Sequence, residues 1–151
     1  MARLEYRLYE ETGEFPMLYY YEDISEEEIA MRFACHYFVK DDKVYGKTSV
    51  AVEADCFVVY VQEDAEERTV PDWAAEEAAG AGICVELREY KEDADNYPLV
   101  CEYTFADNKT ALLYLLSDYL YEENTEWYKT SAEIDEDRAV YVIYAAPAEQ
   151  A

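Results

Sequence analysis

Lys47-Thr48-Ser49 recurs as Lys129-Thr130-Ser131, at an offset of 82 residues. Upstream of the triplet, Tyr37 aligns with Tyr119 and Tyr21 with Tyr103. Pro16, after Phe15, aligns with Pro98, after Tyr97. One residue of slip later, Glu5, Arg7 and Tyr9 align with Glu86, Arg88 and Tyr90. Past the triplet two extra residues intervene, and Phe57-Val58-Val59-Tyr60 aligns with Tyr141-Val142-Ile143-Tyr144. Residue identity is low. The weight lies in the order of structural signals, which runs twice along the chain, and an internal repeat governs the fold when it is present.

Each copy reads as strand, strand, helix, strand, strand. In the first copy Leu4 to Glu10 alternates and Phe15 to Tyr21 is aromatic and apolar, both strand signals. Ser25-Glu26-Glu27-Glu28 is a capping box, because a Ser hydroxyl and a Glu three residues on satisfy orphan helix amides. The helix is expected to run to about Lys40, with Ile29, Phe33 and Tyr37 on its apolar stripe. Residues 44–53 and 56–62 then form a hairpin. In the second copy the strands fall at 83–90 and 98–105. Asp107 caps a helix expected to reach about Tyr121, and 126–134 and 139–145 close the unit. The fold class expected is therefore α+β: two tandem ββαββ repeats, each an antiparallel sheet with one helix, packed as a pseudo-twofold unit. The repeats occupy 1–66 and 83–151. An acidic, Ala-rich linker spans 67–82, with helical turns after Pro71-Asp72 and Trp73 docked on a repeat. A copy of about 60 residues has a thin core. Its helix covers one sheet face, so joining the copies, sheet on sheet or edge to edge, buries more apolar surface.

Composition limits the function. The 151 residues include 36 acids and 12 bases, a net charge of −24, yet 52% are hydrophobic, so the chain is not a disordered acidic tail. That charge repels phosphates and argues against direct binding to nucleic acid or an anionic membrane. No run approaches the roughly 20 apolar residues of a membrane span. Neither a secretory signal nor a catalytic motif is read. Cys35, Cys56, Cys84 and Cys101 form no C-x-x-C pair and read as reduced, buried thiols of a cytoplasmic protein. No cofactor or metal site is expected: His36 is the single histidine, and Asp93-Ala94-Asp95-Asn96 resembles only the start of a calcium loop.

Three features stand as site candidates. Glu5-Arg7-Tyr9 and Glu86-Arg88-Tyr90 each place a carboxylate, a guanidinium and a phenol on one strand face. Arg7, Arg88, Tyr9 and Tyr90 are thereby candidates for an anionic ligand, against the plainer reading of a polar ladder that sets register. The Lys-Thr-Ser triplets offer a cation and hydroxyls but lack the glycines of a phosphate cradle. Acidic runs end most elements, and Glu26, Glu27, Glu28 and Glu122, Glu123, Glu126 are the candidate partner-binding blocks.

The leading expectation is a non-enzymatic interaction module. Its acids and 17 tyrosines would cover a basic, for example nucleic-acid-binding, protein, as an inhibitor or nucleic-acid mimic. Small immunity proteins and phage counter-defence proteins share this compositional character. The alternative is a small anionic-ligand or regulatory module with its site between the repeats. Homo-oligomerisation is left open. At −24 the folded chain repels itself, and salt screens charges more than about 8–10 Å apart. Moderate NaCl is therefore expected to raise Tm by scanning calorimetry; a flat or falling Tm would mean that the acids are already compensated locally.

Overall fold

The computed structural model describes residues 2–65, 82–92 and 97–148. The linker reading over 67–81, including Trp73, lies outside these residues. The elements are β1 (Ala2–Leu8), β2 (Met17–Ile24), α1 (Glu26–Ala34), β3 (Tyr37–Lys40), β4 (Lys43–Val52) and β5 (Phe57–Glu63). The same order then recurs as β6 (Ile83–Glu89), β7 (Leu99–Phe105), α2 (Asn108–Leu116), β8 (Tyr119–Glu122), β9 (Thr125–Asp135) and β10 (Val140–Pro147). The protein is α+β, with one ten-stranded mixed sheet in the order β2-β1-β5-β4-β3-β9-β10-β6-β7, and β8 paired to β9.

Two expectations need correction. Each unit has five strands rather than four, because both helices stop early. α1 ends at Ala34, where Cys35 turns extended and its N–H bonds Arg32 O. α2 ends at Leu116, where Ser117 does the same to Tyr114 O. The aromatic and β-branched residues Tyr37-Phe38-Val39 then form β3 rather than more helix, as β propensity favours. The sheet is also not purely antiparallel. β5 returns beside β1 in parallel, with Leu4 opposite Phe57, and β10 returns beside β6, with Val85 opposite Tyr141. A third parallel pair, β3 with β9, joins the halves edge to edge. Strand periodicity assigns faces, but it does not choose the neighbouring strand.

The helix starts follow the sequence closely. Ser25 Oγ accepts from Glu28 N at 3.2 Å, and Asp107 Oδ1 accepts from Thr110 N at 2.8 Å. The helix ends explain the triplet that opened the reading. Lys47 Nζ donates to Phe33 O at 2.6 Å, and Lys129 Nζ donates to Leu115 O at 2.6 Å. A cation there meets the negative end of the helix and occupies a carbonyl left over by the last turn. Register shifts fall between Lys47 and Ser49 and between Lys129 and Ser131. Thr48 and Thr130 are thus bulge residues. Their hydroxyls donate to Tyr60 O at 3.2 Å and to Tyr144 O at 3.1 Å. Lys, Thr and Ser are, in turn, a helix terminator, a bulge and the strand's re-entry, which leaves the phosphate idea without support.

One core lies beneath both helices, which also pack on each other. Leu4, Tyr6, Phe38, Val61, Leu87 and Ile143 are among its sheet residues, and Ile29, Met31, Ala111 and Leu115 come from the helices. On the opposite face Cys84, Tyr97, Val140, Val142 and Tyr144 form a second cluster confined to the later half. If Lys47 and Lys129 hold the helix ends, Lys47→Met and Lys129→Met are each expected to cost about 1.5–3 kcal/mol. Urea unfolding measures this, and an unchanged midpoint in both would refute the terminator role.

Candidate functional site

The E-x-R-x-Y segments form matching constructions on β1 and β6. Arg7 Nε donates to Glu5 Oε1 at 2.9 Å, and Arg88 Nε donates to Glu86 Oε1 at 2.9 Å. Tyr9 stacks on Phe15 at 5.5 Å, and Phe15 meets Tyr60 edge-on at 5.4 Å. Tyr90 likewise stacks on Tyr97 at 5.4 Å, and Tyr97 meets Tyr144 edge-on at 5.0 Å. The two arginines do not converge, because β5, β4, β3, β9 and β10 lie between β1 and β6. Each is already paired: Arg7 also bonds Glu53 at 3.0 and 3.2 Å, and Arg88 also bonds Tyr97 O at 2.8 Å.

In the later half this construction is buried and extended. Glu86 Oε2 takes a bond from Arg138 Nη1 at 3.0 Å, and Arg138 Nε donates to Asp135 Oδ2 at 2.9 Å. Tyr144 OH donates to Glu133 Oε2 at 2.9 Å. Burial pushes the Glu86 carboxyl upward, yet the guanidiniums of Arg138 and Arg88 outweigh it and the pKa is lowered. For Asp135 burial wins over Arg138, and the pKa is raised. Beside this network Tyr37, Tyr90, Tyr97, Thr130, Ser131 and Tyr144 line a cavity of about 240 Å³.

A cleft of about 210 Å³ lies between the halves, lined by Glu28 and Arg32 of α1, Asn108 of α2, and Glu136 and Tyr141 from β9–β10, among others. Arg32 is its central cation, one that the sequence reading passed over. Nη2 donates to Glu136 Oε1 at 2.9 Å, and Nη1 donates to Tyr141 OH at 3.1 Å. The guanidinium carbon sits 4.8 Å from the Tyr21 ring centroid, a cation–π distance. Nε is buried without a partner. Burial opposes its charge, but Tyr141 and Glu136 more than compensate, and the pKa is raised. A lone Arg within the apolar stripe of α1, one turn after Glu28, was the available signal.

The acid blocks lie at element ends. Glu26 and Glu27 are exposed in the first turn of α1, and Glu28 borders the cleft. Glu122 accepts from Tyr103 OH at 2.8 Å, and Glu126 accepts from Tyr121 OH at 2.5 Å. Glu123 is exposed in the β8–β9 turn. Among the described residues no helix is long and apolar enough to cross a membrane, and no group of three His, Cys, Asp or Glu is placed to hold a metal. Asp93-Ala94-Asp95-Asn96 lies outside the described residues. The four cysteines are free thiols. Burial pushes Cys35 up to about 12 and Cys84 up to about 11, so neither supplies a thiolate at neutral pH.

Comparison with protein-family models, curated proteins and solved structures finds no match. Function therefore has to be argued from geometry alone.

His36 lies where the halves join, and its Nδ1 accepts from Ala132 N at 3.1 Å, a bond that requires an unprotonated Nδ1. Burial, then Lys47 and Lys129, lower its pKa from the ordinary 6.5. Above about 6.5 the ring is neutral in both the folded and unfolded chains and adds no pH dependence. As pH falls below that value the unfolded chain takes the proton first, so folding stability is lost. His36→Asn, whose side-chain oxygen accepts at any pH, is expected to lose less stability than the parent between about pH 7 and about pH 5. Parallel pH profiles from denaturant unfolding would contradict this.

Proposed function

We propose that this chain is a small acidic protein-binding module, built as a tandem duplication about a pseudo-twofold axis, that covers a basic protein surface. Inhibition of a nucleic-acid-binding protein, by mimicry of its ligand's charge, is the activity this reading favours. Four free cysteines fit action in the cytoplasm. One observation carries the proposal: the described arginines are engaged within the chain, while many surface acids are not. All five described arginines, Arg3, Arg7, Arg32, Arg88 and Arg138, are ion-paired within the chain. Lys47 and Lys129 are occupied by helix ends. In contrast Glu10, Glu11, Glu14, Asp23, Glu26 and Glu27 have no cation partner among the described residues, and all but Glu10 are exposed. An anionic ligand would have to compete for guanidiniums that are already paired, whereas a basic surface meets carboxylates that are free. Exposed apolar side chains stand among these acids at one end of the sheet, with Tyr9, Phe15, Met17, Leu18 and Tyr20 on or beside β2. This is the amphipathic anchor chemistry enriched at interfaces.

A second reading rests on Arg32, whose buried Nε has no acceptor. A small polar acceptor in the cleft between the halves would satisfy it. Mass spectrometry of the natively purified protein tests this, since a stoichiometric bound metabolite would move the site there.

For the leading proposal, native lysate is passed over the immobilised protein at low and at moderate salt. A basic nucleic-acid-binding protein released by salt is the expected result. Glu26→Gln/Glu27→Gln is then expected to weaken its capture more than Glu122→Gln/Glu126→Gln, because Glu122 and Glu126 are already held by tyrosines. The loss should fall mainly on the association rate, by about threefold to tenfold. Equal small effects from both pairs would mean that the acids serve only solubility.

A further inference from the structure

The seam between the halves is built from two equivalent sites, and only one is used. At the used site β3 lies parallel to the end of β9, with Tyr37 opposite Glu133, Phe38 opposite Ile134 and Val39 opposite Asp135. His36 N donates to Ala132 O at 2.7 Å, and Glu136 N donates to Val39 O at 2.9 Å. The β3–β4 turn is held as well, since Asp41 N and Asp42 N both donate to the Asp137 carboxylate at 2.8 Å.

An 82-residue step carries β3 onto Tyr119–Tyr121 of β8, and the end of β9 onto Ala51 and Val52 of β4 and the adjoining Glu53. These two edges are not joined. Among the described residues β8 pairs only with β9, and Ala51 and Val52 pair only with β5. Two side chains that the used site buries have bare counterparts at the unused one, while Leu120, the counterpart of Phe38, stays in the core. Val39 is 1% exposed and its counterpart Tyr121 is 72% exposed; Ile134 is 3% exposed and its counterpart Val52 is 73% exposed. Met31 of α1 is buried, whereas its counterpart Leu113 of α2 is exposed, as is Leu116. The backbone of the unused site is nevertheless formed. Glu123 and Asn124 hold φ of 53° and 61°, repeating the 53° and 65° of Asp41 and Asp42. The β4–β5 turn carries exposed Asp55 where the longer β9–β10 turn carries Asp137.

We propose that the unused site takes a second copy of this chain. β8 of one copy adds in parallel to residues 51–53 of the other, with Tyr119 opposite Ala51, Leu120 opposite Val52 and Tyr121 opposite Glu53. The occupant is a second copy because this chain carries both mates, in the register that already works at β3 and β9. Both edges are unpaired among the described residues of one molecule. Each copy offers one β8 and one acceptor edge, so the contact closes reciprocally in a dimer or continues head to tail. Pairing satisfies the free edge amides and carbonyls and covers the apolar side chains above them. The charge of −24 per copy opposes association, so the complex strengthens as salt screens it.

Sedimentation velocity of the full chain, over a range of protein concentration and at low and moderate NaCl, tests this. A dimer or larger species that grows with concentration and with salt is expected. Val52→Lys and Tyr121→Lys are expected to raise its dissociation constant about tenfold or more. Both substitutions reduce the net charge, so charge repulsion alone would predict tighter association. Both side chains are exposed in the single copy, and unchanged circular dichroism would show that folding is intact. A monomer at every concentration and salt would overturn the proposal, as would a dimer indifferent to both variants. A monomer with Tyr121 shielded from iodination would mean that the seam closes on itself, and that too would overturn it.

Discussion

The parallel pairing of Tyr37–Val39 with Glu133–Asp135 is the contact on which the molecule depends. Each half alone is a five-stranded sheet under a helix of nine residues, too small to bury much apolar area. The pairing sets β4 and β9 on either side of one short strand and brings α1 against α2 over a shared core. It also decides which polar groups are buried. Glu133 and Asp135 sit on the end of β9 that β3 covers, and both are nearly inaccessible. Their counterparts Ala51 and Glu53 sit on the uncovered end of β4, where Glu53 meets Arg7 near solvent.

Buried charge has to be matched, since a carboxylate stripped of water and left alone is strongly unfavourable. The later half meets this demand with Arg88 and Arg138 against Glu86 and Asp135, and with a Tyr144 hydroxyl against Glu133. The earlier half uses the same Glu-x-Arg core in a more open setting, where both Arg7 and Glu5 are partly exposed. A chain with few cations thus spends its arginines on internal structure. The surplus acids are left on the surface, and this division separates the two functional readings more sharply than net charge does. A ligand-binding reading needs an available cation, and Arg32, whose buried Nε has no partner, is the arginine that lines the inter-half cleft. A partner-binding reading needs available carboxylates, and the surface supplies many.

Much of the local structure was legible because short-range chemistry controls it. Ser25 and Asp107 announced the helix starts, and both accept the amide three residues on. The in-order matches at offsets near 82 correspond to equivalent bonds, from Leu8 N to Pro16 O and from Glu89 N to Pro98 O, both 2.9 Å. The Lys-Thr-Ser triplets were visible as a repeat, but their role was not. A lysine that reaches back to a helix end and a threonine that forms a bulge are set by elements 14 and 12 residues away. The extra strands β3 and β8 were hidden for a related reason. Apolar residues after each helix extend its periodic stripe for a turn, and only the extended backbone at Cys35 and Ser117 shows where the stripe changes meaning.

By itself the sequence determined the α+β class, the helix starts with their caps, and the strongly negative net charge. These follow from residue type and spacing within a few turns of chain. Tertiary structure alone decided that β5 and β10 return in parallel, that β3 crosses to β9 while β8 does not cross to β4, and that Arg32 rather than Arg7 or Arg88 lines the cleft between the halves. Strand partners are chosen by the summed packing of whole faces and by where a crossing chain can return. No window of residues contains that sum.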